Sequence, residues 1–188
     1  MKIDVVDNGG QWTHREWRVL KYLDIESEII SNETPYEDIK VDGLVLSGGA
    51  PRVADDSLKL GKTGAYLDNL KIPIFGICVG AQFIAKHFGS SAGAAENPEY
   101  GKTTIFVENE NEIFKNIPSK FTAWESHNDE VKELGPELER LACSESCKNQ
   151  AFKHKNKKIY GVQFHPEVEH TEYGVEIFKN FIELCKNE

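Results

Sequence analysis

Over the first half of the chain, apolar residues fall in short runs, each closed by glycine or a polar turn. Lys2 to Asp7, Glu26 to Ile30, Gly43 to Leu46 and Ile72 to Ile77 read as buried strands. Helical spacing separates them. Thr13 to Leu23 offers Trp17, Leu20 and Tyr22 for packing, and Tyr36 to Ile39 allows one helical turn. Lys59 to Leu70 predicts a helix weakened by Gly61 and Gly64, and Gln82 to Phe88 predicts one that stops at Gly89. Strand–helix–strand alternation through residue 88 predicts a parallel α/β sheet with right-handed crossovers.

The second half changes character. Lys102 to Val107, Phe121 to Glu125, Leu138 to Cys143, Gln150 to Lys153 and Lys158 to Phe164 are short strand candidates divided by turns. His154 to Lys157 reads as a hairpin connection. Tyr173 to Cys185 closes the chain as a helix, with Ile177, Phe178, Phe181, Ile182 and Cys185 on one face.

Ligands of open parallel sheets sit at the carboxyl ends of the strands. Three glycine-bearing turns fall at that rim: Gly9-Gly10, Gly48-Gly49 and Gly76 to Gly80. The third holds Cys78 between an apolar strand and a helix. That is the layout of a nucleophile elbow with cysteine in place of serine. The turn lifts the sulfur out of the sheet, and a helix N-terminus favours an anion there. Free cysteines are more commonly inert core, so the reading depends on a base elsewhere. Of six histidines, His165 follows a strand and therefore reaches the same rim. Glu167 stands two residues on, able to orient its ring. A carboxylate-held imidazole facing a thiol is the logic of a catalytic triad. His87 falls in the helix after Cys78, on its packed or solvent face, and His14, His154 and His170 have no companion that suggests chemistry.

The composition narrows the function. The 188 residues predict one domain over 1–188, 39% hydrophobic and 28% charged. A net charge of -9 argues against a nucleic-acid surface. Lys153, Lys155, Lys157 and Lys158 read as a solvated hairpin tip. Cys143, Cys147 and Cys185 lack zinc-site spacing and read as ordinary thiols, so no metal is expected. The first residues read as a strand rather than a signal peptide, and no apolar run is of membrane-spanning length. A reduced, cytoplasmic protein is expected.

Gly76-Ile77-Cys78-Val79-Gly80-Ala81-Gln82, together with Gln163-Phe164-His165-Pro166-Glu167, resembles the signature of class I, triad-type glutamine amidotransferases. Ser47-Gly48-Gly49-Ala50-Pro51 is similar to the family's oxyanion loop, with Ala50 where proline is common. The resemblance implies a three-layer, mostly parallel open sheet flanked by helices (flavodoxin-like), with a small antiparallel β portion in the second half. It implies glutamine as substrate and Cys78, His165 and Glu167 as the catalytic set. Gly48, Gly49 and Val79 would serve the oxyanion, and Gln82 with a loop of Ser126, His127, Asn128 and Asp129 would seat glutamine.

Asp7 to Thr13, Glu99-Tyr100-Gly101, Ser126 to Val131 and Val168 are similar to the GMP synthetase branch, although Asn128 stands where glycine is frequent. With no P-loop in the 188 residues, the resemblance implies a separate glutaminase subunit with no cofactor of its own. A partner ATP-pyrophosphatase subunit, carrying ATP and Mg, would convert XMP to GMP. The competing readings are a glutaminase component of anthranilate synthase, a non-catalytic module of the same fold, and a cysteine peptidase.

Overall fold

The computed structural model describes residues 1–55, 60–110 and 112–186. Among them, nine strands form one continuous sheet. In chain order they are β1 (Ile3–Asp7), β2 (Ile29–Ser31), β3 (Gly43–Leu46), β4 (Ile74–Ile77), β5 (Ser91–Val107), β6 (Lys120–Glu133), β7 (Leu138–Cys143), β8 (Ala151–His154) and β9 (Ile159–Val162). The spatial order is β2-β1-β3-β4-β9-β8-β7-β5-β6. The pairings from β2 to β9 are parallel, and those from β9 to β6 are antiparallel.

Helices α1 (Thr13–Tyr22), α2 (Thr63–Asn69), α3 (Val79–His87) and α4 (Gly174–Lys186) cover the parallel half, and single 3-10 turns lie at Tyr36–Asp38 and Glu112–Phe114. Alternation along each strand sorts the core into two faces. Val5, Val45, Phe75 and Ile77 join Leu20 of α1 and Ile177, Phe178 and Phe181 of α4. Val6, Leu44, Leu46 and Ile74 join Tyr66 and Leu67 of α2 and Ala81 and Ile84 of α3. Residues of β3 and β4 are buried throughout, as expected of parallel strands covered on both sides. Phe75 anchors α4 through ring contacts to Phe178 at 5.9 Å and Phe181 at 5.4 Å.

The second half departs from the expected short pieces. The antiparallel part is as extensive as the parallel one and continues the same sheet. Strand β5 begins at Ser91, and β6 runs on through Glu133. The segment from Ser126 to Val131, expected as a loop, is therefore strand, with His127 opposite Glu99 and Asp129 opposite Ala94. Its inward positions are Phe121, Ala123, Glu125, His127 and Asp129. The two-residue period persists, but polar residues occupy it.

Boundaries also shift. The second strand is Ile29–Ser31, with Glu26 held to Lys2 only by an isolated bridge. The helix after Cys78 starts at Val79 rather than Gln82. Lys59, the expected start of α2, lies outside the described residues. The hairpin lysines are not simply solvated: Lys157 Nζ donates to the Leu67 carbonyl and stands over the Phe88 ring.

Candidate active site

Strands β4 and β9 are parallel neighbours, with Ile77 opposite Val162. The next residue on one strand is Cys78, and Gln163, Phe164 and His165 follow on the other. Both functional side chains therefore leave the sheet at one rim. The Cys78 N–H donates to the Val162 carbonyl at 2.8 Å, and its own carbonyl accepts the Gln82 N–H at 2.9 Å. Its backbone takes φ 49° and ψ −111°, a conformation costly for a residue with a Cβ. The sheet on one side and α3 on the other impose it. The elbow also needs Gly80: a Cβ there would lie 2.3 Å from the Leu46 carbonyl oxygen.

His165 is fixed at every level. Its N–H donates to the Trp124 carbonyl at 2.9 Å, and its carbonyl accepts the Thr171 hydroxyl at 2.6 Å. Nδ1 lies 2.7 Å from Glu167 Oε1. The Trp12 ring meets the imidazole edge-on, with centroids 4.4 Å apart. Burial disfavours the imidazolium, but the Glu167 carboxylate and Cys78 outweigh burial. The histidine is held well above its ordinary range.

The turn after β3 packs against the turn after β1. Asn8 N–H donates to Ser47 Oγ at 2.9 Å, and Asn8 Nδ2 to the Ser47 carbonyl at 3.0 Å. Backbones meet so closely that a Cβ on Gly49 would stand 2.3 Å from the Asn8 oxygen. Ser47 Oγ donates to the Gly48 carbonyl at 2.8 Å. The Gly48 N–H points the other way, to Glu16 Oε1 at 3.3 Å, so that donor is already engaged. The N–H of Gly49 and that of Val79, at the start of α3, remain as candidate oxyanion donors.

Two cavities meet at Cys78. One, of about 260 Å³, is bordered by Trp12, Glu16, Gly48, Gly49, His165 and Glu167. The other, of about 170 Å³, is bordered by Arg52, Val79, Gln82, Ser126, Asn128 and Asp129, and also by Gly49 and His127. Every residue expected to act in catalysis, to serve the oxyanion or to seat glutamine borders one or both. In the second cavity, Arg52 pairs with the Asp129 carboxylate, which also accepts the Ala54 N–H. Burial raises the Asp129 carboxyl, but these donors outweigh it and hold it below its ordinary range.

A family model, Glutamine amidotransferase class-I, matches residues 4–184. The chain belongs to that family. Among similar proteins, a glutamine-hydrolysing GMP synthase subunit of Thermoplasma volcanium is 53% identical over 99% of this chain and 93% of its own length. The protein of the same name from Methanocaldococcus jannaschii is 49% identical, covering 97% of each chain. A solved Thermoplasma acidophilum structure superposes with TM-score 0.94 at 52% identity, covering 99% of this chain and 94% of that one. A Thermotoga maritima glutamine amidotransferase shares the fold at TM-score 0.75 and 22% identity, over 100% of this chain and 83% of the other.

In this amidotransferase, sequence reasoning missed Trp12, Arg52 and two buried acids. Glu16 is 1% exposed, with Oε2 unpartnered among the described residues. Glu125 is fully buried behind the Ser126 to Asp129 strand. Burial above all, reinforced by Glu167 for Glu16 and by Glu99 for Glu125, pushes both carboxyls well above their ordinary range. Beside Glu125, His127 Nε2 lies 2.8 Å from Glu99 Oε2, and Ser144 and Gln150 also donate to Glu99. Glu99, His127 and Cys147 bring their donor atoms within 4.8 Å of one another. Those of Glu99 and His127 are already taken up in this network. It braces β6 from behind the second cavity.

Proposed function

We propose that this chain is the glutaminase subunit of a two-subunit GMP synthase. It hydrolyses glutamine to glutamate and ammonia and supplies the ammonia to an ATP-pyrophosphatase subunit that converts XMP to GMP. The observation that carries the chemistry is the elbow-held Cys78 sharing one cavity with a His165 that Glu167 orients. The acceptor rests on the full-length likeness to relatives named as subunits of glutamine-hydrolysing GMP synthase. That likeness does not favour the anthranilate synthase reading.

Glutamine occupies the cavity beside Gln82 and Asp129, with its side-chain amide at Cys78. With the proton of the thiol already on His165, the sulfur adds to the amide carbon. The oxyanion falls between the N–H groups of Gly49 and Val79, each worth about 3 kcal/mol in comparable sites. His165 then protonates the departing nitrogen, and water hydrolyses the γ-glutamyl thioester. ATP and Mg belong to the partner in this reading. The four free cysteines suit a reduced, cytoplasmic setting. Among the described residues, no helix is long and apolar enough to cross a membrane.

The test combines this chain with the ATP-pyrophosphatase subunit, XMP, ATP and Mg, and measures GMP from glutamine and from ammonium. Glutamine-dependent GMP that disappears with Cys78→Ala, while ammonium-dependent GMP persists, is the expected outcome. Amination of chorismate, or no amination of XMP, would overturn the reading.

A further inference from the structure

Only one of the two cavities at Cys78 is bordered by His165 and Glu167. The group that protonates the leaving nitrogen must stand beside it, so that nitrogen departs on the His165 side, away from Arg52 and Gln82. On that side stands Glu16, which none of the steps above uses. It is 1% exposed, one oxygen held by the Gly48 N–H and the other unpartnered among the described residues. A buried carboxyl with a free oxygen is costly unless something completes it. Among the described residues, no lysine or arginine borders this cavity. A small nitrogen base that can share a proton matches that chemistry.

We propose that the His165-side cavity is an ammonia-receiving site in which Glu16 Oε2 takes up the nitrogen released from glutamine. The inference rests on the glutaminase reading above. As the amide C–N bond breaks, its electron pair stays on nitrogen, and a proton from His165 completes ammonia. Ammonia then takes the Oε2 proton of neutral Glu16, giving ammonium paired with a carboxylate. The reverse transfer restores the acid and frees uncharged ammonia. Burial keeps Glu16 protonated until such a base arrives. The Gly48 N–H holds Oε1 throughout, so the exchange centres on Oε2.

The test uses the Cys78→Ala protein, which keeps the cavity and cannot turn over glutamine. ¹⁵N-ammonium is titrated and followed by NMR line broadening, with tetramethylammonium as the control. Ammonium should bind, tetramethylammonium should not, and Glu16→Gln should weaken binding about tenfold, the loss of one charge-assisted hydrogen bond. Glutamine at this position still offers Gly48 an oxygen, so a merely structural role for Glu16 predicts unchanged ammonium affinity. A second measurement needs no change at Glu16: the infrared carbonyl band of protonated carboxyl groups should weaken as ammonium is added. Equal binding by Glu16→Gln, no binding at all, or an unmoved infrared band overturns the site. A wild-type protein that hydrolyses glutamine yet fails these tests leaves the glutaminase reading standing. A protein that hydrolyses none overturns that reading separately.

Discussion

The side-chain amide of Gln82 donates to the backbone carbonyl of Asp129 across 2.7 Å. Its second bond, to Gln163 Oε1 at 3.0 Å, reaches the segment that leads to His165. One amide on α3 therefore ties the elbow helix to β6 and to the strand end carrying the base. Gln82→Leu removes a donor from two buried acceptors; the Asp129 carbonyl keeps His127 Nδ1 at 3.0 Å, whereas Gln163 Oε1 loses its bond at a cost of about 1–3 kcal/mol. KM for glutamine should rise by about tenfold, with a smaller change in kcat. Steady-state glutamate release checks this, and an unchanged KM would show that the tie does not shape the glutamine cavity.

Cys78→Ser keeps the elbow and replaces the sulfur. Glutamine hydrolysis should fall by at least about a thousandfold, because an alcohol is far less readily ionised than a thiol. The γ-glutamyl adduct seen by mass spectrometry in wild type should be missing. An adduct of wild-type abundance on another residue would move the nucleophile elsewhere.

His165 carries a pH prediction with a definite sign. Burial lowers its affinity for a proton, whereas Glu167 and Cys78 raise it and prevail. The folded midpoint lies above the unfolded one, so this proton stabilises the fold fully below the unfolded value. That contribution is lost as pH rises through the folded value. Imidazole resonances should titrate above the ordinary histidine range, and Cys78→Ala or Glu167→Gln should each move the midpoint down. An upward move in either variant contradicts the assigned couplings.

Glu125 gives the opposite test. Its carboxyl is raised chiefly by burial and then by Glu99. Below the unfolded carboxylate range both states hold the proton, and no difference arises. Above it the unfolded chain ionises while the folded one does not, so stability falls by up to about 1.4 kcal/mol per pH unit. Glu125→Gln removes that penalty. Its melting temperature should exceed wild type by more at pH 8 than at pH 5, as calorimetry at the two pH values would reveal.

Gly80→Ala should disturb the elbow without touching the chemistry directly. The added methyl would meet the Leu46 carbonyl oxygen at 2.3 Å, and backbone cannot swing aside as a side chain can. A loss of about 1–3 kcal/mol in stability is expected, together with slower alkylation of Cys78 by iodoacetamide. Unchanged melting would mean that the elbow has room the structure does not show.

How much of this could be read beforehand follows from burial. Runs such as Leu44-Val45-Leu46 are apolar on both faces, so the parallel half and its rim were legible, and with them Cys78, His165 and Glu167. The first part of β5 was not: its Ser91 to Gly101 stretch is mostly small, acidic or exposed and contains Pro98. Its order comes from pairing with β6, which leaves little trace in residue type. His127 and Asp129 kept the alternation of a strand but carried polar groups inward, and so resembled a loop. Glu16 carried no mark of a site residue in the sequence. The signal that could have found it was its position on the stripe of Thr13 and Leu20, the buried face of α1.

The adjacency of β4 and β9 sets a ruler for the triad. Nucleophile and base are remote in sequence, yet their separation is governed by one interstrand spacing of roughly 4.8 Å. The chain between them runs out through the antiparallel strands and returns to the same line of hydrogen bonds. Length can be added or removed at its outer turns without resetting that ruler. The outer strands can diversify to suit new protein surfaces while the reactive pair stays in register, a division of labour that lends itself to grafting one amidotransferase onto different assemblies.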